Sequence, residues 1–311
     1  MARHVAVDVL TGFLGSGKTT LLKHVLAHGL QGKPVALIVN EIGDVGIDGR
    51  AVTGLEYVEK MVELSSGCIC CSIDEYRFDL AIQEIVETVQ PHLIVIESTG
   101  LADPEPLAYR VKSAGLALDA IITVVDAANV ARALAESEVA GAQIAAADFL
   151  VVNKVDLVTA DDVMRVRRRL ARQNARALQL ETMRGAIDAD VLFATDVAAH
   201  RMRADAPRAT SMHLARDAFG SFAYRGTAAL VKPAFERVLA ELPRDLIRAK
   251  GIVRLVDHDW HCLFNVTCGR VELGWVKLAA PRENQAVFIG RRIDEHRDGV
   301  LAALAACERP E

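Results

Sequence analysis

The sequence predicts an α/β fold: a domain built on a mostly parallel sheet flanked by helices, followed by a small α+β domain. Three observations support this prediction. Apolar runs alternate with helical stretches through the first half, a glycine-rich loop follows the first run, and closely spaced strand-like runs fill the last third. Strand–helix alternation favours layered α/β folds, and a chain of 311 residues is long enough for about two domains.

The strands of the first domain are predicted from five continuous apolar runs, each ending in a polar or glycine turn. The runs are VAVDVLTG, PVALIVNE, HLIVIESTG, DAIITVVDA and DFLVVNKVD. Continuous apolar runs suit a parallel sheet that is covered on both faces. Helical spacing appears between them in TTLLKHVLAHGL and DLAIQEIVETVQ. Ligands of such sheets bind at the carboxyl ends of the strands.

The first of these ends carries a phosphate-binding motif. GFLGSGKT, beginning at Gly12, matches G-x-x-x-x-G-K-[ST] between a predicted strand and a predicted helix. Lys18 should reach the β and γ phosphates as a catalytic residue, and the Thr19 hydroxyl should ligate Mg²⁺. The predicted nucleotide-binding residues of this loop are Gly15, Ser16, Gly17, Lys18, Thr19 and Thr20.

Two later strand ends complete a predicted GTP site. Glu97 ends HLIVIE, where a catalytic, magnesium-side carboxylate belongs, and the Gly100 N–H could reach the γ-phosphate. Asn153, Lys154 and Asp156 form the pattern N-K-x-D, in which the aspartate accepts hydrogen bonds from the guanine N1–H and amino group. This pattern predicts GTP and GDP as ligands and argues against the small-molecule ATP kinases.

A cysteine cluster is the unusual feature of this domain. Cys68, Cys70 and Cys71 lie within four positions, and thiolates select zinc, copper(I) or iron–sulfur clusters over magnesium. A three-thiolate or mixed thiolate–carboxylate site is one interpretation. Buried cysteines acting as small apolar residues are the alternative.

The motifs together resemble a known family. GFLGSGKTTLL, VNEIGDVGIDG, GCICC, ESTGLADP and NKVD occur in the order seen in the CobW-like P-loop GTPases, a group that also holds the nickel chaperones HypB and UreG. IRAKGIVRLV and AVFIG resemble the C-terminal domain of that family. Near HRMRADAPRATSMH the strand and helix pattern gives way to charged and small residues, which indicates a linker. We therefore expect a P-loop GTPase domain over residues 1–200, a linker over 201–215 and a CobW-like C-terminal domain over 216–311.

The resemblance also implies a function. We expect a GTP-dependent metallochaperone that delivers a transition metal to a client metalloprotein, with Zn²⁺ as the metal and Co²⁺ or Fe²⁺ as alternatives. By position, Cys70 is the principal implied ligand, with Cys68 and Cys71 as partners and a carboxylate of Asp44 or Glu41 assisting. Asp44 stands where family members usually have glutamate, and Val39 stands where some place another carboxylate.

The segment NEIGDVGID is the predicted switch. GTP would order it and bring Asp44 toward Cys70, with the catalytic Asp48 near Mg²⁺, and hydrolysis would release the metal. Intrinsic turnover should be slow, because the sequence identifies no arginine finger. Two alternatives remain: a switch adaptor with structural cysteines, and a redox-sensing GTPase.

Composition and charge limit the classes of partner and the cellular compartment that we expect. The net charge of −5 does not suggest a general nucleic-acid binder, and the arginine run of DDVMRVRRRLARQ is interpreted as a solvated helix face. No run approaches the ~20 apolar residues that span a bilayer, and the N-terminus has no signal-peptide pattern. We expect a cytoplasmic protein without membrane or nucleic-acid partners. The sequence does not indicate its oligomeric state.

Overall fold

The computed structural model describes residues 5–28, 34–40, 58–64, 75–187, 189–193, 219–256, 258–276 and 283–308. The chain divides into two compact units, Met1–Thr195 and Asp196–Glu311. Each unit is described by itself.

The first unit is built on a parallel sheet. Its described strands are β1 (Ala6–Thr11), β2 (Val35–Asn40), β3 (Val58–Leu64), β4 (Leu93–Glu97), β5 (Ala117–Asp126), β6 (Phe149–Asn153) and β7 (Leu178–Glu181). They lie in the order β3-β2-β4-β1-β5-β6-β7, and every described pairing is parallel. The predicted parallel sheet is confirmed. The sequence patterns had not singled out β3.

The helices of this unit follow the strands in alternation. They are α1 (Lys18–His28), α2 (Glu75–Thr88), α3 (Pro104–Ser113), α4 (Val130–Glu136), α5 (Glu138–Ala146), α6 (Ala160–Gln173) and α7 (Ala189–Leu192). Sequence patterns had indicated α1, α2 and α6. Short, alanine-containing helices such as α4 and α5 give little apolar periodicity, so they had not been singled out.

Burial explains why the strands are continuous apolar runs. All residues of β4 and β6 are buried, and so are all of β1 except its first residue. Since neighbouring side chains of a strand point to opposite faces, this sheet is covered on both faces. On α6, Val163, Val166 and Leu170 are the buried residues, and the arginines are exposed, as the helix-face interpretation expects.

The second unit is α+β, as predicted. Its described strands, β8 (Phe219–Gly226), β9 (Leu246–Arg254), β10 (His261–Thr267), β11 (Arg270–Val276) and β12 (Asn284–Arg291), form an antiparallel sheet in the order β11-β10-β9-β12-β8. Its helices are α8 (Lys232–Ala240) and α9 (Ile293–Ala305). No described helix of either unit is long and apolar enough to cross a bilayer.

Aromatic pairs fill the core of the second unit. Phe222 and Phe288 stack with ring centroids 4.9 Å apart, and Phe235 meets Phe264 edge to face at 5.2 Å. All four rings are buried. Such pairs contribute about 0.5–1.5 kcal/mol beyond the area that they bury.

Substituting Phe288→Ala should therefore lower the free energy of unfolding by about 3–5 kcal/mol, because Phe288 is fully buried and its loss leaves a cavity against Phe222. Urea denaturation followed by circular dichroism measures the change. Val271→Ala, at a site 38% exposed, is the control and should change stability by less than about 1 kcal/mol. Equal losses in the two variants would contradict this assignment of the core.

Candidate nucleotide-binding site

Four neighbouring strands deliver the candidate residues to one edge of the parallel sheet. The glycine-rich loop (residues 12–17) follows β1, Glu97 ends β4, Asp126 ends β5 and Asn153 ends β6. Because β4, β1, β5 and β6 are consecutive and parallel, these ends meet at the carboxyl edge, where such sheets bind ligands.

The glycine-rich loop has a backbone that requires glycine. Gly12, Gly15 and Gly17 have φ values of 138°, 71° and 103°, which L side chains rarely adopt. At two of these glycines, neighbouring atoms leave no room for a Cβ. A Cβ on Gly12 would lie 2.3 Å from the Val124 carbonyl oxygen, and one on Gly17 would lie 2.4 Å from Asn153 Nδ2. Such a loop, leading into a helix N-terminus, can present N–H groups to an anion.

The first turn of α1 brings a cation and a hydroxyl to this loop. The Lys18 Nζ donates to the Gly12 carbonyl oxygen at 2.8 Å. The Thr19 hydroxyl donates to Glu97 Oε1 at 3.1 Å, and Glu97 is buried. Hydroxyl and carboxylate oxygens are the ligands that Mg²⁺ prefers, so the Thr19–Glu97 pair fits a magnesium site. Thr20, the next residue of α1, is exposed.

The turn that follows β4 packs against the glycine-rich loop. The Ser98 N–H donates to the Leu10 carbonyl at 2.9 Å, and the Ala102 N–H donates to the Thr99 carbonyl at 3.1 Å. A Cβ on Gly100 would lie 2.7 Å from Leu14 N. Gly100 therefore lies directly beside the phosphate-binding loop.

The side chain of Asn153 is a structural link between loops. It is 2% exposed; its Nδ2 donates to the Ser16 carbonyl at 2.9 Å, and its Oδ1 accepts from the Gly185 N–H at 3.2 Å. Gly185 lies in the turn after β7, and sequence reasoning gave it no role. Asn153 thus joins the end of β6 both to the phosphate-binding loop and to that turn.

Lys154 makes a second link to the same loop. Its backbone is left-handed, with φ 62°. Its Nζ donates to the Gly15 carbonyl and to Asp126 Oδ2, both at 2.7 Å. Asp156 is exposed in the short 3₁₀ turn Val155–Leu157. Asp156, which carries the carboxylate of the pattern, is therefore the exposed residue among the three.

Asp126 holds Lys154 in place. Its carboxylate also accepts from the Ala128 N–H at 2.9 Å and from Asn129 Nδ2 at 3.0 Å. Burial raises the pKa of Asp126, but the hydrogen bonds from Lys154, Asn129 and Ala128 together lower it by more. The pKa of Asp126 therefore lies below its ordinary value. Asp126 lies at the end of the apolar run DAIITVVDA, and no role is predicted for it from the sequence. Its position, equivalent to that of Glu97 on β4, was the available signal.

The predicted transition-metal ligands Cys68, Cys70, Cys71, Asp44 and Glu41, and the predicted catalytic Asp48, lie outside the described residues. Val39 is described: it is 3% exposed and pairs in register with Glu97. Within the described ranges, no group of three or more histidine, cysteine or acidic residues could hold a metal ion. Cys262 is a free thiol of the second unit, and burial raises its pKa to about 11, which disfavours the thiolate form that binds metals.

The Asp126–Lys154 pair makes stability depend on pH. Because the folded pKa of Asp126 lies below the ordinary value of 3.8, its contribution is fully present above that pH and is lost as the pH falls through the folded pKa. Wild type should therefore be more stable than Asp126→Asn by a constant margin from about pH 5 to 7, and the margin should shrink below about pH 4. Urea midpoints measured across this range test it.

The control for that experiment is Glu136→Gln. Glu136 pairs with Arg132 at 2.8 Å, but the two side chains are 54% and 75% exposed, so we expect little difference from wild type at any pH. A margin for Asp126→Asn that persists unchanged at pH 3 would contradict the assigned role of its charge.

Comparisons with known proteins agree with this geometry. Residues 6–181 match the family described as CobW/HypB/UreG, nucleotide-binding domain, and residues 219–308 match the family described as Cobalamin synthesis protein cobW C-terminal domain.

Two curated relatives illustrate the similarity. The chain is 29% identical over 325 residues to the zinc chaperone YjiA of Escherichia coli, covering 98% of this chain and 99% of that protein. It is 38% identical over 194 residues to the zinc-regulated GTPase metalloprotein activator 1 of Schizosaccharomyces pombe, covering 59% of this chain and 47% of that protein. The chain thus matches just under half the length of the S. pombe relative.

A solved structure, the Zn(II)-bound YjiA GTPase from E. coli, aligns over 99% of this chain and 100% of that chain, with 26% identity and a TM-score of 0.47. The family assignment rests on the sequence match, which spans more than half of the chain and contains the phosphate-binding loop, Glu97 and the Asn153–Asp156 pattern. The chain therefore belongs to the CobW/HypB/UreG family.

Proposed function

We propose that this protein binds and hydrolyses GTP and acts as a metallochaperone, in which nucleotide gates a Cys-x-Cys-Cys metal site and the metal is delivered to a client metalloprotein. The observation that carries the proposal is the attachment of the guanine-recognition pattern to the phosphate-binding loop. Asn153 donates a hydrogen bond to the Ser16 carbonyl, Lys154 donates one to the Gly15 carbonyl, and Asp156 is exposed. This arrangement supports GTP as the ligand.

The residues present suggest how the nucleotide is held. The N–H groups of the glycine-rich loop and the N-terminus of α1 would bind the phosphates. Lys18 would exchange its bond to the Gly12 carbonyl for phosphate oxygens. Thr19 and Glu97 would hold Mg²⁺, which when bound neutralises charge on the transferred phosphoryl group. Asp156 would accept from the guanine N1–H and amino group, and Gly100 would donate to the γ-phosphate.

Catalysis would rest on Lys18 and Glu97, with Asp48 as a third proposed residue. Intrinsic turnover should be slow, since no cation beyond Lys18 is assigned to the transferred phosphoryl group.

The metal is proposed from the relatives and from ligand chemistry. The E. coli relative is named a zinc chaperone and the S. pombe relative a zinc-regulated GTPase metalloprotein activator. The thiols of Cys68, Cys70 and Cys71 suit Zn²⁺, with Co²⁺ and Fe²⁺ as alternatives and with Glu41 or Asp44 as further ligands. The metal is cargo, and the client is a metalloprotein in the cytoplasm.

Sheet topology supports a link between the metal segments and the nucleotide. The chain leaves β2 at Asn40 and β3 at Leu64, and these two residues are register partners. β2 also pairs in parallel with β4, which ends at Glu97. β2 and β3 therefore end at the edge of the sheet where Glu97 ends β4, and in the sequence Glu41 and Asp44 follow β2 and the cysteines follow β3.

Guanine specificity is tested by Asp156→Asn. The substitution removes an acceptor of two charge-assisted hydrogen bonds, so GDP affinity should fall at least about a hundredfold. An asparagine amide can donate to the O2 of xanthine, so affinity for xanthosine diphosphate should rise. Fluorescent-nucleotide competition measures both affinities.

Glu181→Gln is the control for that substitution. It removes an exposed carboxylate, paired with Arg167 at 2.8 Å, at the end of the adjacent strand β7, and it should leave GDP affinity unchanged. Equal affinity of the wild type for ATP and GTP would contradict the proposal.

Metal gating is tested by a zinc-competition titration of the reduced protein without nucleotide, with GDP, and with a non-hydrolysable GTP analogue plus Mg²⁺. Zinc affinity should be about 5–150-fold higher in the GTP-like state, the usual size of an allosteric coupling. Cys70→Ala should abolish the difference, whereas Cys268→Ala, at a cysteine of the second unit, should retain it.

Two results would contradict this proposal and favour one of the alternatives. Equal zinc affinity in all three states, repeated with Co²⁺ and Fe²⁺, would favour the switch adaptor with structural cysteines. Hydrolysis that responds to oxidant rather than to zinc would favour the redox-sensing GTPase.

A further inference from the structure

A buried amide on α5 faces the turn that follows β4. Gln143 is 1% exposed, and its Nε2 donates to the Ala102 carbonyl at 3.0 Å and to the Gly100 carbonyl at 3.3 Å. These carbonyls lie 41 and 43 residues earlier in the chain. One side chain therefore satisfies two acceptors of the turn that contains Gly100.

The turn is held from two sides. On one side it meets the phosphate-binding loop and its strand, through the Ser98–Leu10 backbone bond and the close approach of Gly100 to Leu14. On the other side it meets the Gln143 amide. The first side consists of one backbone hydrogen bond and the close approach of Gly100 to Leu14. The contact on the second side depends on one particular side chain.

The support behind Gln143 is fixed. The buried hydroxyl of Thr123, on β5, donates to the Gln143 backbone carbonyl at 2.7 Å. Asn174, at the end of α6, donates from Nδ2 to the carbonyls of Ile144, Ala145 and Ala147 at 2.8–3.0 Å. The helix that presents the amide is thus tied to the central sheet at Gln143 and to α6 at its C-terminal end.

We propose that Gln143 is a positioning residue for GTP hydrolysis, which acts by holding the Gly100 turn against the phosphate-binding loop. The inference rests on the proposed GTPase function and adds a residue to it. The amide faces the Gly100 carbonyl, and the C=O and N–H of a trans peptide point in opposite directions, so the Leu101 N–H is directed away from α5. Gln143 thereby orients the Gly100–Leu101 peptide group, which directly follows the Gly100 N–H proposed to donate to the γ-phosphate.

The role differs from guanine or phosphate binding. The hydrogen bonds of Asn153 and Lys154 described above go to Ser16, Gly185, Gly15 and Asp126, so loss of the Gln143 amide leaves these links of the base-recognition pattern intact. Loss of the amide leaves two buried carbonyls without this donor and releases the turn on one side. The expected consequence is a loss of turnover with little change in GDP affinity.

The test compares Gln143→Met with Asn174→Leu. Methionine keeps the length of the side chain without its donors, and Asn174→Leu removes buried amide bonds to the same helix without touching the turn. Single-turnover hydrolysis, the KM for GTP, GDP affinity and the thermal midpoint are measured for both. Gln143→Met should lower kcat at least about tenfold, since small misplacements of positioned groups cost up to 10²-fold, with GDP affinity within about threefold of wild type.

The control should lose thermal stability without that selective loss of kcat. Gln143→Glu gives a second reading: it keeps the shape of the side chain but places carboxylate oxygens against two carbonyls, so kcat should fall at least as far as in Gln143→Met. Equal kcat losses in Gln143→Met and Asn174→Leu at equal thermal midpoints, or an unchanged kcat in Gln143→Met, would overturn the inference. A wild type that hydrolyses no GTP would overturn the proposed function itself, and the inference with it.

Discussion

The side-chain amide of Asn153 fixes the geometry of the whole nucleotide edge. It donates to the Ser16 carbonyl and accepts from the Gly185 N–H, so it ties the end of β6 to the phosphate-binding loop and to the turn after β7. Neither glycine has room for a side chain: a Cβ on Gly17 would meet Asn153 Nδ2, and one on Gly185 would meet Leu21 of α1. The glycine-rich loop, the end of β6 and the turn after β7 are therefore linked through this one amide.

Charge at this edge is distributed between two lysines with different partners. Lys154 is shared by Asp126 and the Gly15 carbonyl, so its charge is balanced within the framework. The lowered pKa of Asp126 keeps that balance at neutral pH. Lys18 contacts the Gly12 carbonyl at the start of the loop. Its position on the first turn of α1 places its charge beside the positive end of the helix, where a phosphate gains most. Lys154 thus supports the loop, whereas Lys18 is the lysine proposed to bind the phosphates.

Sequence reasoning predicted the parts of this site that are encoded locally. The glycine spacing before Lys18, the carboxylate at the end of β4 and the Asn153–Asp156 pattern can each be recognised within a few residues, and continuous apolar runs predict a sheet buried on both faces. The contacts between these parts could not be predicted in the same way. Asn153 meets Ser16 across 137 residues, and Gln143, within the helix sequence EVAGAQIAA, resembles any polar residue of a small helix until the turn that it faces is known. The metal ligands were inferred from family resemblance and lie outside the described residues, so their assignment stays a prediction.

The proposed pairing of two cations at one edge is chemically consistent because their ligand sets differ. Thr19 and Glu97 offer oxygen atoms, which suit the hard Mg²⁺ ion, whereas Cys68, Cys70 and Cys71 offer thiolates, which favour zinc. Neither cation should displace the other, although β2 and β3 lead their following segments to the edge where Glu97 ends β4. If the GTP-like state tightens zinc binding by a given factor, zinc must tighten GTP binding by the same factor. A client that removes zinc would then weaken GTP binding by the same factor, so release of the metal and loss of the GTP-bound state would favour each other without a separate signal.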